Sequence, residues 1–167
     1  MPSVLLRPYR ADDADLRAGL AAEPGDLDFF GFASSAGFAA RLAADGLLSE
    51  DHGNLVVEAD GVAVGDVGWF AVHHGPHPHG RALNIGIGLL REHRGRGHGT
   101  EAQRLIAEHL FSTTRIERLE ASTDVLNVAE QRALAKAGFR QEGVLRHAQW
   151  RAGAFHDVVL FSRLRGD

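Results

Sequence analysis

The sequence predicts a single α/β domain, and three stretches carry that reading. Leu83 to Phe111 runs from an apolar strand (Leu83 to Leu90) through a turn with three glycines and two arginines (Arg94 to Thr100). It then enters a helix with Ala102, Leu105, Ile106 and Leu110 on one face. Asn54 to Ala59 and Val62 to Val72 are strand-like runs joined at Asp60-Gly61, a dipeptide suited to a tight hairpin. Arg140 to Trp150 and Phe155 to Leu164 repeat that pattern around Ala152-Gly153. Hairpins and strand–helix units in one chain of 167 residues, 44% of them hydrophobic, are enough for one sizeable core. No linker or internal repeat divides residues 1–167.

The remaining elements follow in order. Val4-Leu5-Leu6-Arg7-Pro8 reads as a short strand stopped by proline. Asp12, Asp13 and Asp15 favour a helix start, with Leu16 and Leu20 as its buried stripe and Pro24-Gly25-Asp26 as its end. Leu27 to Phe38 places Phe29, Phe30, Phe32 and Phe38 among small residues, as core packing or as an apolar wall over an acceptor site. Ser35 is placed to cap a helix carrying Phe38, Leu42 and Leu47. After the hairpin comes His73-His74-Gly75-Pro76-His77-Pro78-His79-Gly80, either a solvated tip or a metal-binding tract. Its prolines and glycines, and the lack of a nearby acidic residue, favour the tip. Ile116 to Thr123 makes a further strand ending at Asp124, and Asn127 opens a helix that closes at Gly138.

Composition excludes several function classes. A net charge of −4 and a pI near 6.2 argue against a general nucleic-acid binder. There is no long apolar run for a membrane span and no signal-peptide pattern at Met1-Pro2-Ser3, so a cytoplasmic enzyme is expected. Zero cysteines remove disulfides, thiolate nucleophiles and Cys-based zinc sites.

The chemistry concentrates in Arg94-Gly95-Arg96-Gly97-His98-Gly99-Thr100. Glycines let peptide N–H groups crowd toward one point, a helix N-terminus adds positive potential there, and arginines fork onto phosphate oxygens. This is an anion cradle. A P-loop needs Gly-Lys-Ser/Thr at the helix start, which is absent. A dinucleotide fingerprint needs G-x-G-x-x-G, whereas Gly95, Gly97 and Gly99 are spaced by two, although Glu120 falls near the place of its acidic partner.

The pattern that fits is Arg94-x-x-Gly97-x-Gly99, which resembles the pyrophosphate-binding motif of the GCN5-related N-acetyltransferase (GNAT) superfamily. The strand before it, the helix opened by Asn127 and ended by Lys136-Ala137-Gly138-Phe139, Glu142 to Arg146 and Gly153 to Leu160 extend the likeness. The set resembles the ribosomal-protein N-terminal acetyltransferase (RimJ/RimL-like) group over Leu83 to Arg165. The resemblance implies the GNAT fold, one mixed, mostly antiparallel twisted sheet of about six or seven strands flanked by helices. It implies acetyl-CoA as co-substrate, no metal, a primary amine as acceptor and, as is common in resembling proteins, a homodimer.

Residue by residue, the amides of Arg96 to Thr100 would hold the CoA pyrophosphate, with Gly95 in the same turn and Arg94 near it. The amide of Ile87 would face the thioester carbonyl, where a preplaced N–H stabilises developing negative charge. Leu89 would pair with the pantetheine arm like an added strand. Gly86 and Gly88 leave room on one face, for cofactor or for helix packing. Asn127 would touch the cofactor arm, and it is equally a helix cap. Glu130 stands where family members often carry a serine that protonates the leaving thiolate, and burial would fit it for that role. Asn84 and Gln149 stand where acidic residues are common, which leaves Asp124, His147 or a relayed water as further proton carriers. The acceptor reads as a protein N-terminal amine, with a small amine or aminoglycoside, or a non-catalytic acyl-CoA-binding module, as alternatives.

Overall fold

The computed structural model describes residues 3–22 and 38–167. Four helices and seven strands are described in it. In chain order they are β1 (Val4–Arg7), α1 (Ala14–Ala22), α2 (Phe38–Asp45), β2 (His52–Ala59) and β3 (Val62–His73). Then come β4 (Arg81–Leu89), α3 (His98–Thr113), β5 (Arg118–Asp124), α4 (Val128–Lys136), β6 (Arg140–Arg151) and β7 (Ala154–Leu164). The expected helix end at Pro24-Gly25-Asp26, the aromatic run Phe29, Phe30 and Phe32, and the cap Ser35 lie outside the described residues.

The strands form one mixed sheet in the order β1-β2-β3-β4-β5-β7-β6. Every neighbouring pair is antiparallel except β4 and β5. Alternation sorts side chains to the two faces. Val57, Val67, Trp69, Leu83, Ile85, Leu119, Ala121, Val159 and Phe161 meet Ala102, Ile106 and Leu110 of α3 and Leu134 of α4. The opposite face has a smaller core of Tyr9, Leu16, Leu47 and Val56, joined by Leu20, Phe38 and Leu42. Phe38 packs edge-on against Tyr9 with ring centroids 5.0 Å apart.

Leu47 corrects one expectation. Helix α2 stops at Asp45, Gly46 and Leu47 both take positive φ (63° and 61°), and Leu47 is fully buried from the turn rather than from a helical stripe. The side chain of Asp45 stabilises this exit by accepting from Leu47 N–H at 2.8 Å.

Candidate active site

The parallel link between β4 and β5 is short. Leu83 pairs with Leu119 and Asn84 with Glu120, and no further register is formed between the two strands. β5 stays with β7 to Asp124, while β4 stays with β3 to Leu89. The sheet therefore parts in its middle, and the second half of β4 has one open edge. Leu90 N–H donates to Val64 O at 3.0 Å, so alternation turns the amides of Gly86 and Gly88 toward β3 as well. The amides of Ile87 and Leu89 then face the gap. This is an edge of the kind that accepts an extended ligand as an extra strand.

β4 leads directly into the glycine turn. Gly95 and Gly97 have φ of 72° and 87°, a region that penalises any side chain. Gly99 differs, because it is helical and its missing Cβ would sit in ordinary contact with Leu89 and Ile87. Gly97 is the N-cap of α3 and offers no side-chain cap bond, so the first helix amides, those of His98, Gly99 and Thr100, have no capping acceptor. Arg94 folds back, its Nε donating to Leu89 O at 2.8 Å, which pins the turn to the end of β4. The His98 ring is turned inward, 5% exposed, with Nδ1 lacking a hydrogen-bond partner. Burial holds its pKa below the ordinary value, with repulsion from His93 and Arg96 adding to the effect. His98 thus brings a backbone amide rather than a cation.

A groove of about 510 Å³ joins these parts. Ile87, Gly88, Leu89, Arg94, Gly95, Gly97, Gly99 and Thr100 line one side, and Asn127 at the start of α4 with Glu130, Arg132 and Lys136 of that helix line the other. Of the expected residues, Ile87, Leu89, Arg94, Gly95, Gly97, Gly99, Thr100, Asn127 and Glu130 meet along this groove, whereas Arg96 and His98 are not part of its lining. Arg132 and Lys136 were not anticipated from sequence; their i, i+4 spacing puts two cations on one helical face, the available signal.

Asn127 is a cap in fact: its Oδ1 accepts from Glu130 N–H at 3.3 Å, and its Nδ2 donates to Thr123 Oγ1 at 3.0 Å. Glu130 is half-buried at the groove wall. Burial raises its pKa to about 7, with a hydrogen bond from Gln103 Nε2 pulling the other way. Gln103 was also missed, since a glutamine beside Ala102 reads as surface, yet it is 1% exposed.

The other proton-carrier candidates lie elsewhere. Asp124 is buried in an ion pair with Arg151, near His156 at 3.7 Å, and accepts from Leu126 N–H at 2.6 Å. It anchors the turn before α4. His147 sits in a bulge of β6 with φ 52°, exposed and stacked on Phe155. Asn84 belongs to the closed part of the β4–β5 link. None of these three lines the groove. Away from the groove, Asp66 Oδ2 accepts from Tyr9 Oη at 2.8 Å and Arg17 Nη1 at 2.9 Å, tying α1 to β3. In the histidine-rich loop His74 Nε2 meets Glu120 Oε1 at 2.6 Å. Among the described residues no group of three or more His, Asp or Glu side chains is placed to hold a metal. No described helix is long and apolar enough to cross a membrane.

Comparison with known proteins agrees with this geometry. The acetyltransferase (GNAT) domain family matches residues 3–140. The Bacillus subtilis (strain 168) protein named probable N-acetyltransferase YjcK is 27% identical over 179 residues, covering 99% of this chain and 96% of its own. Mycobacterium smegmatis RimJ, solved in complex with CoA-disulfide, superimposes with a TM-score of 0.77 at 26% identity, covering 96% of this chain and 81% of that one. Spermidine N-acetyltransferase from Vibrio cholerae, solved with CoA and spermine, gives a TM-score of 0.80 at 18% identity, over 98% and 96% of the two chains, a likeness of fold. A strand that parts from its neighbour, a glycine turn at a helix start and a family match over most of the chain make this protein a member of the acetyltransferase (GNAT) domain family, an acetyl-CoA-dependent N-acetyltransferase.

Proposed function

We propose that residues 1–167 act as one domain that transfers acetyl from acetyl-CoA directly to a protein N-terminal amine. The observation that carries the chemistry is the parting of β4 from β5 beside an uncapped helix start. Acetyl-CoA supplies an activated acyl group as a thioester, open to attack by a neutral amine. The amides of Arg96 to Thr100, with Gly95 in the same turn, hold its pyrophosphate, and Arg94, Arg132 and Lys136 add positive charge along the groove. The Leu89 amide pairs with the pantetheine arm, and the Ile87 amide faces the carbonyl oxygen, where negative charge grows during attack. Glu130, its pKa raised to about 7, donates a proton to the departing thiolate. Asn127 starts α4 in the orientation that brings Glu130 to the wall. Holding the amine beside the thioester supplies much of the acceleration, so no dedicated base is assigned.

The N-terminal acceptor is supported by the resemblance of Leu83 to Arg165 to the ribosomal-protein group and by the 26% identity to RimJ. Work in the cytoplasm, as a homodimer, belongs to the same reading. Single-turnover transfer from labelled acetyl-CoA tests it against Ala- and Ser-starting peptides, spermidine and an aminoglycoside. Label on the peptide α-amine is expected. Label confined to the small amines moves the acceptor class, and binding with no transfer to the whole panel makes the protein an acyl-CoA-binding module.

A further inference from the structure

Gln103 lies in the middle of α3, fully buried, and faces Glu130 of α4. Its Nε2 donates to Glu130 Oε1, while its own Oε1 is buried with no hydrogen-bond partner. A buried acceptor left without a donor is costly, and native interiors rarely leave one. A neighbouring carboxyl supplies a donor when, and only when, it carries a proton. Both ends of one amide therefore become satisfied by the same group in its acid form.

We propose that Gln103 is a positioning residue for Glu130: amide and carboxylic acid pair face to face, Nε2–H on one oxygen and the acid O–H on Gln103 Oε1. The inference rests on the reading of Glu130 as the acid. It adds that the proton is stored on a fixed line at the groove wall. On transfer, the Glu130 O–H bond breaks and an S–H bond forms on the CoA thiolate as the C–S bond of the thioester breaks. The carboxylate left behind keeps the Nε2–H donor, so Gln103 serves both states and holds the proton exchangeable near neutral pH. The other charged or titratable groups lining this groove are Arg94 from the turn and Arg132 and Lys136 from α4; Ile87 to Leu89 of β4 bring none, and the buried His98 ring at the start of α3 is not part of its lining.

The test is a carbon-detected NMR titration of ¹³C-labelled glutamate side chains in the cofactor-free protein, with the Gln103 side-chain amide followed in parallel. In wild type the Glu130 carboxyl titrates at about 7, and the Gln103 amide resonances move with the same midpoint. Gln103→Leu takes a charge-assisted donor from the carboxylate and a weaker, neutral acceptor from the acid, so the midpoint rises by the difference, about one pH unit. The alkaline limb of kcat moves with it, while acetyl-CoA affinity measured by calorimetry is kept. A merely structural glutamine would lower stability and leave the midpoint in place. Gln103 resonances flat through the Glu130 titration, or an unmoved midpoint in Gln103→Leu, overturns the proposal. The wild-type arm needs no variant, so it decides even if Gln103→Leu does not fold. Because the titration uses neither cofactor nor acceptor, its failure is distinct from a failure of acetyl transfer, which calorimetry and the single-turnover assay report.

Discussion

The acid role proposed for Glu130 comes from its surroundings: an ordinary glutamate at a helix surface is ionised near neutral pH, whereas this one is raised to about 7 by burial. A general acid must hold its proton, so kcat should fall as pH rises through about 7, and Glu130→Gln should lower kcat by about 10²-fold or more while leaving acetyl-CoA affinity within a few-fold. A pH–rate profile of the variant that matches wild type would retire Glu130 as the acid. The native state binds this proton more tightly than the unfolded chain, whose value is near 4.5, so its contribution to stability is complete below about 4.5 and lost as pH rises through about 7. Glu130→Gln should therefore gain roughly 2–3 kcal/mol relative to wild type between pH 5 and pH 8.5, read as a growing difference in denaturation midpoint. Glu130 itself was legible from its spacing after Asn127. Its partner Gln103 was not, because the two are 27 residues apart and nothing local in α3 marks a buried amide.

Among the elements, the glycine turn and α3 depend on backbone shape more than on side chains. Gly97 has open space where a Cβ would go, so the cost of replacing it comes from φ of 87° and from the shift of the amides beside it, not from a clash. Gly97→Val should cost about 1–2 kcal/mol in stability and weaken acetyl-CoA binding by at least about tenfold. An unchanged affinity would remove the cradle. At the other end of the chain, Tyr9→Phe leaves buried Asp66 with one donor fewer and should cost about 1–2 kcal/mol in denaturant unfolding, since Arg17 alone then carries the close contact to Oδ2. Elements were readable where periodicity was strong: α3, α4 and the two hairpins fall where alternation, caps and turn residues put them. Boundaries set by pairing were not. β2 begins at His52 rather than Asn54 because pairing with Phe70 and Trp69 of β3 extends it, and β5 begins at Arg118 because its partner Leu164 is the last residue of β7. Leu47 defeated the helical stripe because its burial comes from a left-handed turn that only tertiary packing justifies.

For the whole molecule, the proposed function uses a sheet whose β4–β5 seam is paired at one end and parted at the other. The order of elements and the likeness to a known family were visible in the sequence. The length of the β4–β5 link was not, because Leu83 to Leu90 reads as an uninterrupted strand and nothing in it says that its partner leaves after Asn84. Closure at Glu120 is reinforced by His74 from outside the strand and by Arg118 at the start of β5, whose Nε donates to the same oxygen at 2.6 Å. A ligand that bridges the parted half should stabilise the entire fold, by about 2.7 kcal/mol at a hundredfold excess over Kd, and move Tm upward accordingly. The most direct measurement is a calorimetric titration of acetyl-CoA into the wild-type protein and into Gly97→Val. Saturable one-to-one heat is expected in the first and weakened or absent binding in the second; no heat with wild type, or equal affinity in both, would rule out the cradle.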